Sequence, residues 1–288
     1  SQVMTDNGFR DAYREVFPDV DRKRDSTWSP RFPKQEQDRI DFIYYKSRTW
    51  NARQARVIRQ HPTKFPSDHA AVLVEMEPCQ AKSLERPSEL KIVSYNINGV
   101  RSAIEKGLID WIDENQFDVV CLQEVKAHRG SVPLLLLESI GYQSVWHSAR
   151  RKGYSGVSTF CKTRPTKSFE GMGIEKYDHE GRVLRTDFGD LTILNCYFPN
   201  GGSGPERQAF KMQFLMDFQY WVENLLEDRP NMIVLGDYNI AHKKIDINDP
   251  VRNKNSSGFL PDERAWMTDW FGSGFVDAFR SRNPDEVS

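Results

Sequence analysis

The stretch that decides the fold class is MIVLGDYN at residues 232–239, where four apolar residues lead into a glycine, an acid and an amide. A short, wholly apolar run is typical of a strand buried on both faces of a sheet, and we predict that this one stops at Gly236. KIVSYN at 91–96 and VVCLQE at 119–124 have the same pattern, since each is an apolar run that ends in a polar residue. Buried strands of this kind carry their last side chains to the rim of an α/β sheet, where ligands bind.

Helical patterns alternate with these strands. We predict helices over 104–114, 134–140 and 206–227, and a further strand over 192–197. The longest helix has a broad apolar face, and Pro205 just before it suits a helix start. Strands that alternate with helices in this way predict an α/β sandwich.

The first part of the chain differs in style from this α/β part. It begins with a short predicted helix at 8–16 and a charged, proline-rich loop. Three strand candidates follow, at 39–46, 55–59 and 70–77. A polar, proline-bounded segment then has the composition of a linker. The chain is therefore divided into a first segment, a linker and a second segment, at 1–77, 78–89 and 90–288.

Composition excludes several classes of protein. The 288 residues carry a formal net charge of −1, so DNA binding must depend on local basic patches. No apolar run approaches the length of a membrane span, the first residues lack the pattern of a signal peptide, and there is no Walker-type loop. The cysteines are well separated, which predicts buried, reduced thiols in a cytoplasmic protein and no zinc site. They are Cys79, Cys121, Cys161 and Cys196.

Polar side chains stand at the ends of several apolar runs. Asn96, Glu124, Asp237 and Asn239 follow predicted strands, and the pair Asp68-His69 precedes another. Each position by itself also fits a capping or turn role. Together they form a coherent set, because amide and carboxylate oxygens suit Mg²⁺, which binds few carboxylates and retains water. A histidine beside an aspartate suits proton transfer or phosphate stabilisation.

A series of longer motifs carries a specific resemblance. In chain order they are KIVSYNINGVR (91–101), LQEVK (122–126), GYSGV (153–157), GRV (181–183), YFPN (197–200), GDYNIAH (236–242), and DI (246–247) with PVRNK (250–254). Over residues 90–288 the chain resembles the exonuclease III family of abasic-site endonucleases, within the endonuclease/exonuclease/phosphatase superfamily. The resemblance implies a four-layered α/β sandwich of the DNase I-like kind, in which two packed mixed sheets are flanked by helices.

Two further motifs depart from the order of that family. Arg-Ile-Asp and Ser-Asp-His close the family's sequence, whereas here they stand at 39–41 and 67–69, ahead of the other motifs. The chain therefore resembles a circularly permuted or recombined form, in which both segments build one sandwich domain. Residues 4–14 also resemble 267–280, and residues 1–77 resemble phosphatase-like members of the superfamily.

The resemblance implies a metal site and an attacking water. Asn96 and Glu124 would hold a magnesium ion, with Asp68 at the same side of the site. Asp237 would activate or orient the water, and Asn239 would position the water or a phosphate oxygen. A metal with a positioned water is a sufficient scheme for phosphodiester hydrolysis.

The resemblance also implies how the phosphate and the DNA are held. His69, oriented by Asp41, would stabilise the phosphate, and Tyr197 would contact it. Polar and basic side chains near the rim would bind the rest of the substrate through its phosphates. These substrate-binding candidates are Asn98, Arg101, Lys126, Asn200, Lys243 and Lys254.

The predicted function is magnesium-dependent hydrolysis of DNA phosphodiester bonds, as an abasic-site endonuclease and a 3′–5′ exonuclease, with Mn²⁺ as a substitute metal. The expected partner is double-stranded DNA, especially abasic DNA or DNA with 3′ ends, bound by a monomer that makes no membrane contact. One alternative is a phosphatase or phosphodiesterase of the same superfamily acting on another phosphoester. Another is a catalytically incomplete nucleic-acid-binding protein. The hydrolase hypothesis requires His69 to face the pocket built by Glu124 and Asp237.

Overall fold

The computed structural model describes residues 41–47, 50–58, 69–78, 90–133 and 135–282. The predicted first helix, the proline-rich loop and all but the first residue of the linker lie outside the described residues. Asp68 and Cys79 lie outside them as well.

Two six-stranded mixed sheets form the centre of the described structure. In chain order the strands are β1 Asp41–Lys46, β2 Trp50–Ile58, β3 Ala71–Pro78, β4 Leu90–Asn96, β5 Val119–Gln123, β6 Gln143–His147, β7 Val157–Cys161, β8 Lys167–Glu170, β9 Val183–Phe188, β10 Leu191–Tyr197, β11 Asn231–Asp237 and β12 Val276–Asp277. One sheet has the order β12-β1-β11-β10-β9-β8 and the other β2-β3-β4-β5-β7-β6. Strand β10 runs parallel to β11 and β4 runs parallel to β5, so the carboxyl ends of each pair share an edge.

The helices cover the outer faces of the sheets. They are α1 Val100–Glu105, α2 Leu108–Asn115, α3 Leu135–Ser139, α4 Glu175–Asp178, α5 Pro205–Asp228 and α6 Pro261–Gly272. The prediction of one helix over 104–114 is wrong, because Gly107 adopts a left-handed conformation with φ 89° and separates α1 from α2. The predicted helices at 134–140 and 206–227 correspond to α3 and α5.

Three apolar clusters lie between the four layers. The inner cluster joins the two sheets and contains Ile92 of β4 and Ile233 of β11. On the outer face of β11, Val234 packs in a second cluster with Phe214 of α5. Trp111 of α2 belongs to the third, which covers the other sheet. Successive residues of β11 therefore face opposite layers, as the pleat of a strand requires, and the predicted four-layered sandwich is confirmed.

Strands from the first segment of the chain complete both sheets. Strand β1 pairs with β11 in an antiparallel register that sets Asp41 opposite Asp237. Strand β3 pairs with β4, with Val72 opposite Ser94. The described strands on either side of the linker therefore share the same two sheets.

The end of β11 depends on a glycine. Gly236 has φ 137°, and a Cβ atom at this position would lie 1.8 Å from the backbone oxygen of Cys196 on β10. Only glycine tolerates this conformation and this close approach. With glycine here the strand continues to Asp237, so the predicted end at Gly236 is wrong. Gly236 thus carries the next residue, Asp237, to the rim of the sheet.

Substituting Gly236→Ala should lower the free energy of unfolding by about 2–5 kcal/mol, since backbone strain and steric overlap add. The matched control is Gly272→Ala at the end of α6, where a Cβ atom would meet nothing within 4 Å. We expect that control to change stability by no more than about 1 kcal/mol. Urea denaturation of both variants measures the difference, and equal stabilities would contradict this account of the β11 end.

Candidate active site

Three strand ends meet at one edge of the sandwich. Strand β4 ends at Asn96, opposite Gln123 at the end of the parallel neighbour β5, and Glu124 follows directly. Strand β11 of the other sheet ends at Asp237. The side chains predicted from the apolar runs are therefore brought together from both sheets, at the edge where α/β proteins bind ligands.

A single amide connects the two acids. Asn96 Nδ2 lies 2.9 Å from Glu124 Oε1 and 2.9 Å from Asp237 Oδ2, and donates a hydrogen bond to each. Asn96 Oδ1 accepts the backbone N–H of Asn98 at 3.1 Å. The orientation of the amide follows from this arrangement, because its two N–H groups face acceptors and its oxygen faces a donor. Asn96 and Asp237 are both buried.

The carboxylate of Glu124 is stabilised in its charged form. Lys126 Nζ lies 2.7 Å from Glu124 Oε2. Burial raises the pKa of Glu124, but the hydrogen bonds from Asn96 and Lys126, the Lys126 charge and a hydrogen bond from Tyr197 outweigh it and lower the pKa below its usual value. Glu124 is therefore ionised at neutral pH.

The loops after the strands adopt left-handed backbone conformations. Asn98, Glu124, Lys126 and Asn239 have φ values of 49°, 52°, 51° and 51°. Such conformations are unfavourable for residues other than glycine and concentrate at functional sites. They return the side chains over the strand ends, so that Lys126 Nζ meets Asn98 Oδ1 at 2.5 Å as well as Glu124. The strand patterns gave no signal of these conformations.

Asp237 has a second donor on its other oxygen. The backbone N–H of Asn239 donates to Asp237 Oδ1 at 2.8 Å. The side chain of Asn239 donates to the backbone oxygen of Phe198 at 3.0 Å and accepts from Asn200 Nδ2 at 3.1 Å. The predicted catalytic residue Asn239 and the predicted substrate-binding residue Asn200 are thus in direct contact.

Tyr197 is held as a neutral phenol. Burial raises its pKa well above the usual value, and the negative charges of Glu124 and Asp237 raise it further, while the charge of Arg182 opposes them. The guanidinium of Arg182 lies 5.0 Å from the centroid of the Tyr197 ring. Tyr197 therefore stays protonated, and its hydroxyl group can donate a hydrogen bond.

A polar network behind Tyr197 was not predicted. Arg182 Nη1 donates to the backbone oxygen of Tyr197 at 2.9 Å, and Arg182 Nε donates to Glu180 at 2.5 Å. Arg207 donates to the same carboxylate at 2.8 and 2.6 Å, and both arginines donate to the hydroxyl of Tyr154. Two members of this network, Tyr154 and Arg182, lie in the sequence motifs at 153–157 and 181–183. Those motifs indicated the family but not a role for these two side chains.

The backbones of His69 and Asp41 reach the same edge. His69 is buried, and continuing the β3–β4 register back from Val72 places it opposite Ile97, the residue after Asn96. The pairing of β1 with β11 sets Asp41 opposite Asp237. Asp68, the third predicted ligand, lies outside the part of the chain that the structure describes.

The remaining substrate-binding candidates have contacts elsewhere. Arg101 Nε donates to the backbone oxygen of Ser131 at 3.3 Å. The backbone N–H of Lys243 donates to Asp246 at 2.7 Å, and Lys254 is exposed in a short 3₁₀ turn, Asn253–Asn255. In contrast to the Lys126 ammonium group, which pairs with Glu124, these side chains make no hydrogen bond or ion pair with Glu124 or Asp237 in the described part of the chain.

The donor set suits a hard cation. Carboxylate oxygens of Glu124 and Asp237 lie on either side of the Asn96 nitrogen, while the Asn96 oxygen accepts the N–H of Asn98. Within the described ranges, no group of three or more His, Cys, Asp or Glu residues could hold a metal ion. Mg²⁺ is usually bound by only one or two carboxylates and keeps several of its water ligands. Cys121, Cys161 and Cys196 are buried and free, as predicted. Among the described residues, no helix is long and apolar enough to span a bilayer.

Glu180→Gln should destabilise the protein in a pH-dependent manner. Burial raises the pKa of Glu180, but Arg207 and Arg182 outweigh it, so the pKa lies below its usual value. The ion pairs therefore contribute stability above the ordinary carboxyl pKa, and this stability is lost as the pH falls through the lowered folded value. At pH 7 we expect a loss of about 1–3 kcal/mol, because Arg182 is buried and loses its charged partner.

Urea denaturation from neutral pH down to about pH 3 measures this effect, and the two proteins should converge at the acid end. The control is Glu175→Gln on α4, an exposed acid whose substitution should change stability by less than about 0.5 kcal/mol at either pH. A Glu180→Gln difference that stays constant with pH would contradict the assignment.

The sequence and the fold both match proteins of known family. The model of the Endonuclease/Exonuclease/phosphatase family matches residues 93–285. An exodeoxyribonuclease of Bacillus subtilis (strain 168) is 36% identical over 197 residues, which cover 68% of this chain and 77% of that protein. The DNA repair nuclease APEX1 of Danio rerio is 34% identical over 227 residues, covering 78% of this chain and 73% of that protein.

A solved structure agrees with these relatives. An AP endonuclease from Archaeoglobus fulgidus superposes with a TM-score of 0.64 at 30% identity, covering 69% of this chain and 76% of that chain. The resemblance carried by the motifs over 90–288 is confirmed. The chain belongs to the endonuclease/exonuclease/phosphatase family.

Proposed function

We propose that the chain hydrolyses DNA phosphodiester bonds with a divalent cation, as an abasic-site endonuclease and a 3′–5′ exonuclease. The observation that supports this best is the pair of acids, Glu124 and Asp237, that share the buried amide of Asn96 at 2.9 Å each. The predicted nuclease activity agrees with the names of the relatives, an exodeoxyribonuclease, a DNA repair nuclease and an AP endonuclease.

Magnesium fits the site better than a softer metal, with Mn²⁺ as a substitute. Glu124 is the principal ligand in this proposal, because its lowered pKa keeps the carboxylate charged and available. Asn96 would add its amide oxygen, which also accepts the backbone N–H of Asn98, and Asp68 is proposed to reach the same side. When bound, the cation stabilises the negative charge that develops on the phosphate and the leaving oxygen.

Asp237 and Asn239 act on the attacking water. Asp237 orients the water and accepts its proton, since the two donors on its carboxylate, Asn96 and the Asn239 backbone, fix the direction of both oxygens. The Asn239 side chain, fixed by Phe198 and Asn200, positions the water or a phosphate oxygen. A base held in this manner needs little reorganisation when the bond breaks.

The phosphate is held by neutral and cationic donors. Tyr197 donates a hydrogen bond from its hydroxyl group, which its raised pKa keeps protonated. His69, oriented by Asp41, stabilises the phosphate charge, and the positions of the two backbones beside β4 and β11 support this role. DNA phosphates beyond the scissile bond are proposed to meet six further side chains. They are Asn98, Arg101, Lys126, Asn200, Lys243 and Lys254.

The order of the motifs supports a permuted or recombined chain. Arg-Ile-Asp at 39–41 and Ser-Asp-His at 67–69 precede the motif that contains Asn96. The strands of 1–77 that the structure describes nevertheless pair with strands of 90–288 in both sheets. We propose that the two segments form one sandwich domain across the linker at 78–89.

The substrate is proposed to be double-stranded DNA, above all abasic DNA and DNA with 3′ ends. A monomer suffices, because the acids, Tyr197 and His69 all come from one chain. We also propose a cytoplasmic location, since the three described cysteines are free thiols, as expected in a reducing compartment.

The proposed activity predicts chelator-sensitive cleavage of an abasic duplex in the presence of Mg²⁺. Asp237→Asn should lower kcat by about 10²–10⁴-fold, because the proton acceptor is lost. Glu124→Gln should raise the Mg²⁺ concentration needed for half-maximal rate, because the principal charged ligand is lost. Gel assays on a labelled duplex measure both effects.

Glu138→Gln on α3 serves as the control, since Glu138 is a solvent-exposed acid paired only loosely with Arg129 at 3.6 Å. It should cleave at the wild-type rate. Folded wild-type protein that cleaves no abasic DNA with Mg²⁺ would refute the proposed function. Full activity of Asp237→Asn would refute the role of that residue.

His69→Ala should lower kcat by about 10²–10⁴-fold if the first segment completes the site, since phosphate stabilisation is lost. His128→Ala, at an exposed histidine, is the matched control and should retain the wild-type kcat. Steady-state kinetics on the abasic duplex compare the two variants. Equal activities would show that His69 has no part in the reaction and would favour a site built by residues 90–288 alone.

A second candidate is hydrolysis of a different phosphoester by the same site. The resemblance of residues 1–77 to phosphatase-like members favours it. The two candidates share the metal and the acids and differ in what they bind beyond the phosphate. Turnover of a small phosphomonoester without cleavage of DNA would replace the first candidate with the second.

A further inference from the structure

A fully buried ion pair lies behind the catalytic edge. Lys211 in the second turn of α5 and Glu263 in the first turn of α6 both have no exposed surface, and Lys211 Nζ lies 2.6 Å from Glu263 Oε1. Burying two charges is costly, and replacing such a pair with apolar residues is often neutral or stabilising. Stability alone is therefore a weak reason for its presence between the two helices.

The lysine has a second acceptor, and this one belongs to the site. Lys211 Nζ donates to the backbone oxygen of Asn239 at 2.8 Å. The N–H of the same residue donates to Asp237 Oδ1 at 2.8 Å, and its backbone is held at φ 51°. Two hydrogen bonds therefore link the ammonium group of Lys211 to the Asp237 carboxylate. One is made by the C=O and the other by the N–H of Asn239, and the backbone of that residue joins them.

Glu263 fixes the lysine in place. Glu263 Oε2 accepts the backbone N–H groups of Gly258 and Leu260 at 2.7 and 2.9 Å, and Oε1 also accepts Gln208 Nε2 at 3.0 Å. The oxygen of Gly258 in turn accepts the backbone N–H of Ala241 at 2.8 Å, two residues beyond Asn239. The pair is thus tied to the catalytic loop on both sides.

The position of the lysine also matters electrostatically. Burial holds the pKa of Lys211 below its usual value, although the charges of Glu263 and Asp237 both act to raise it. The attraction between Lys211 and Asp237 is mutual, so the ammonium group stabilises the negative charge of the acid that it helps to orient. An apolar pair of the same size would fill the space and provide neither the donor nor the charge.

We infer that Lys211 is a positioning residue, which acts through the Asn239 backbone to hold the Asp237 carboxylate in its working orientation. The inference rests on the proposed function for the role of Asp237. It does not require Lys211 to touch the substrate, since the side chain is wholly buried. A residue of this kind should affect turnover much more than substrate binding.

The test compares Lys211→Met, which keeps most of the side-chain length and removes the ammonium group, with Lys211→Arg, which keeps the charge and hydrogen-bond donors. Arg185→Met is the matched control, because it breaks an ion pair with the buried Asp187 at 2.7 Å on β9, away from Asn239. Each variant is measured for thermal unfolding, for kcat and KM on an abasic duplex with Mg²⁺, and for amide hydrogen exchange at Asn239 by NMR.

For Lys211→Met we expect kcat to fall by about 10–100-fold with KM changed by less than about threefold, since orientation is lost and binding is retained. Exchange of the Asn239 amide should accelerate by about tenfold as its bond to Asp237 loosens. Lys211→Arg should recover most of the lost kcat. Arg185→Met should lower the unfolding temperature but leave kcat and the Asn239 exchange rate unchanged.

The inference is overturned if folded Lys211→Met keeps the wild-type kcat and Asn239 exchange rate, or if Arg185→Met loses as much kcat. If Lys211→Met does not fold, the double variant Lys211→Met with Glu263→Gln removes both charges and is held to the same expectations. Failure of the double variant to unfold cooperatively would make the pair a folding determinant and overturn the positioning role. Wild-type protein without nuclease activity would refute the proposed function, and the exchange rates would still decide whether Lys211 holds Asn239.

Discussion

The site depends on one buried amide that holds two acids together. Asn96 donates one hydrogen bond to Glu124, on its own sheet, and one to Asp237, on the other. Two carboxylates repel each other in an interior of low dielectric constant, and an unpaired charge there is costly. The amide offsets part of that repulsion, and the ammonium group of Lys126 on Glu124 offsets more. The negative charge that remains is what a divalent cation would neutralise.

This bridge constrains the rest of the fold. Because the acids belong to different sheets, the sheets must pack in one fixed relation, which the inner cluster around Ile92 and Ile233 provides. Strand β11 must extend far enough to deliver Asp237, and Gly236 permits this by its close approach to β10. The left-handed turns after the strands, together with the buried Lys211, then set the direction of the side chains. The strands thus fix the positions of the acids, and the left-handed turns after them fix the orientation of the side chains.

Much of the fold and part of the site follow from local pattern. Apolar runs ending in Asn96, Glu124 and Asp237 were sufficient to predict buried strands with polar tips, because burial on both faces requires such runs. The break at Gly107 was missed, since the apolar residues keep helical spacing on both sides of it. The pairing of Glu180 with Arg207 and the bond from Lys211 to Asn239 were missed for another reason. The residues in each pair are distant in the sequence, and hydrophobic periodicity does not indicate which helix packs against which loop.

The most direct test of the account is to locate the metal. Crystals soaked in Mn²⁺ and measured at its absorption edge give an anomalous difference peak at each bound ion. We expect one peak about 2.0–2.4 Å from a Glu124 carboxylate oxygen, at the edge that also carries Asn96 and Asp237. A saturating soak that gives no peak beside Glu124, or a peak only at a remote part of the surface, would contradict it.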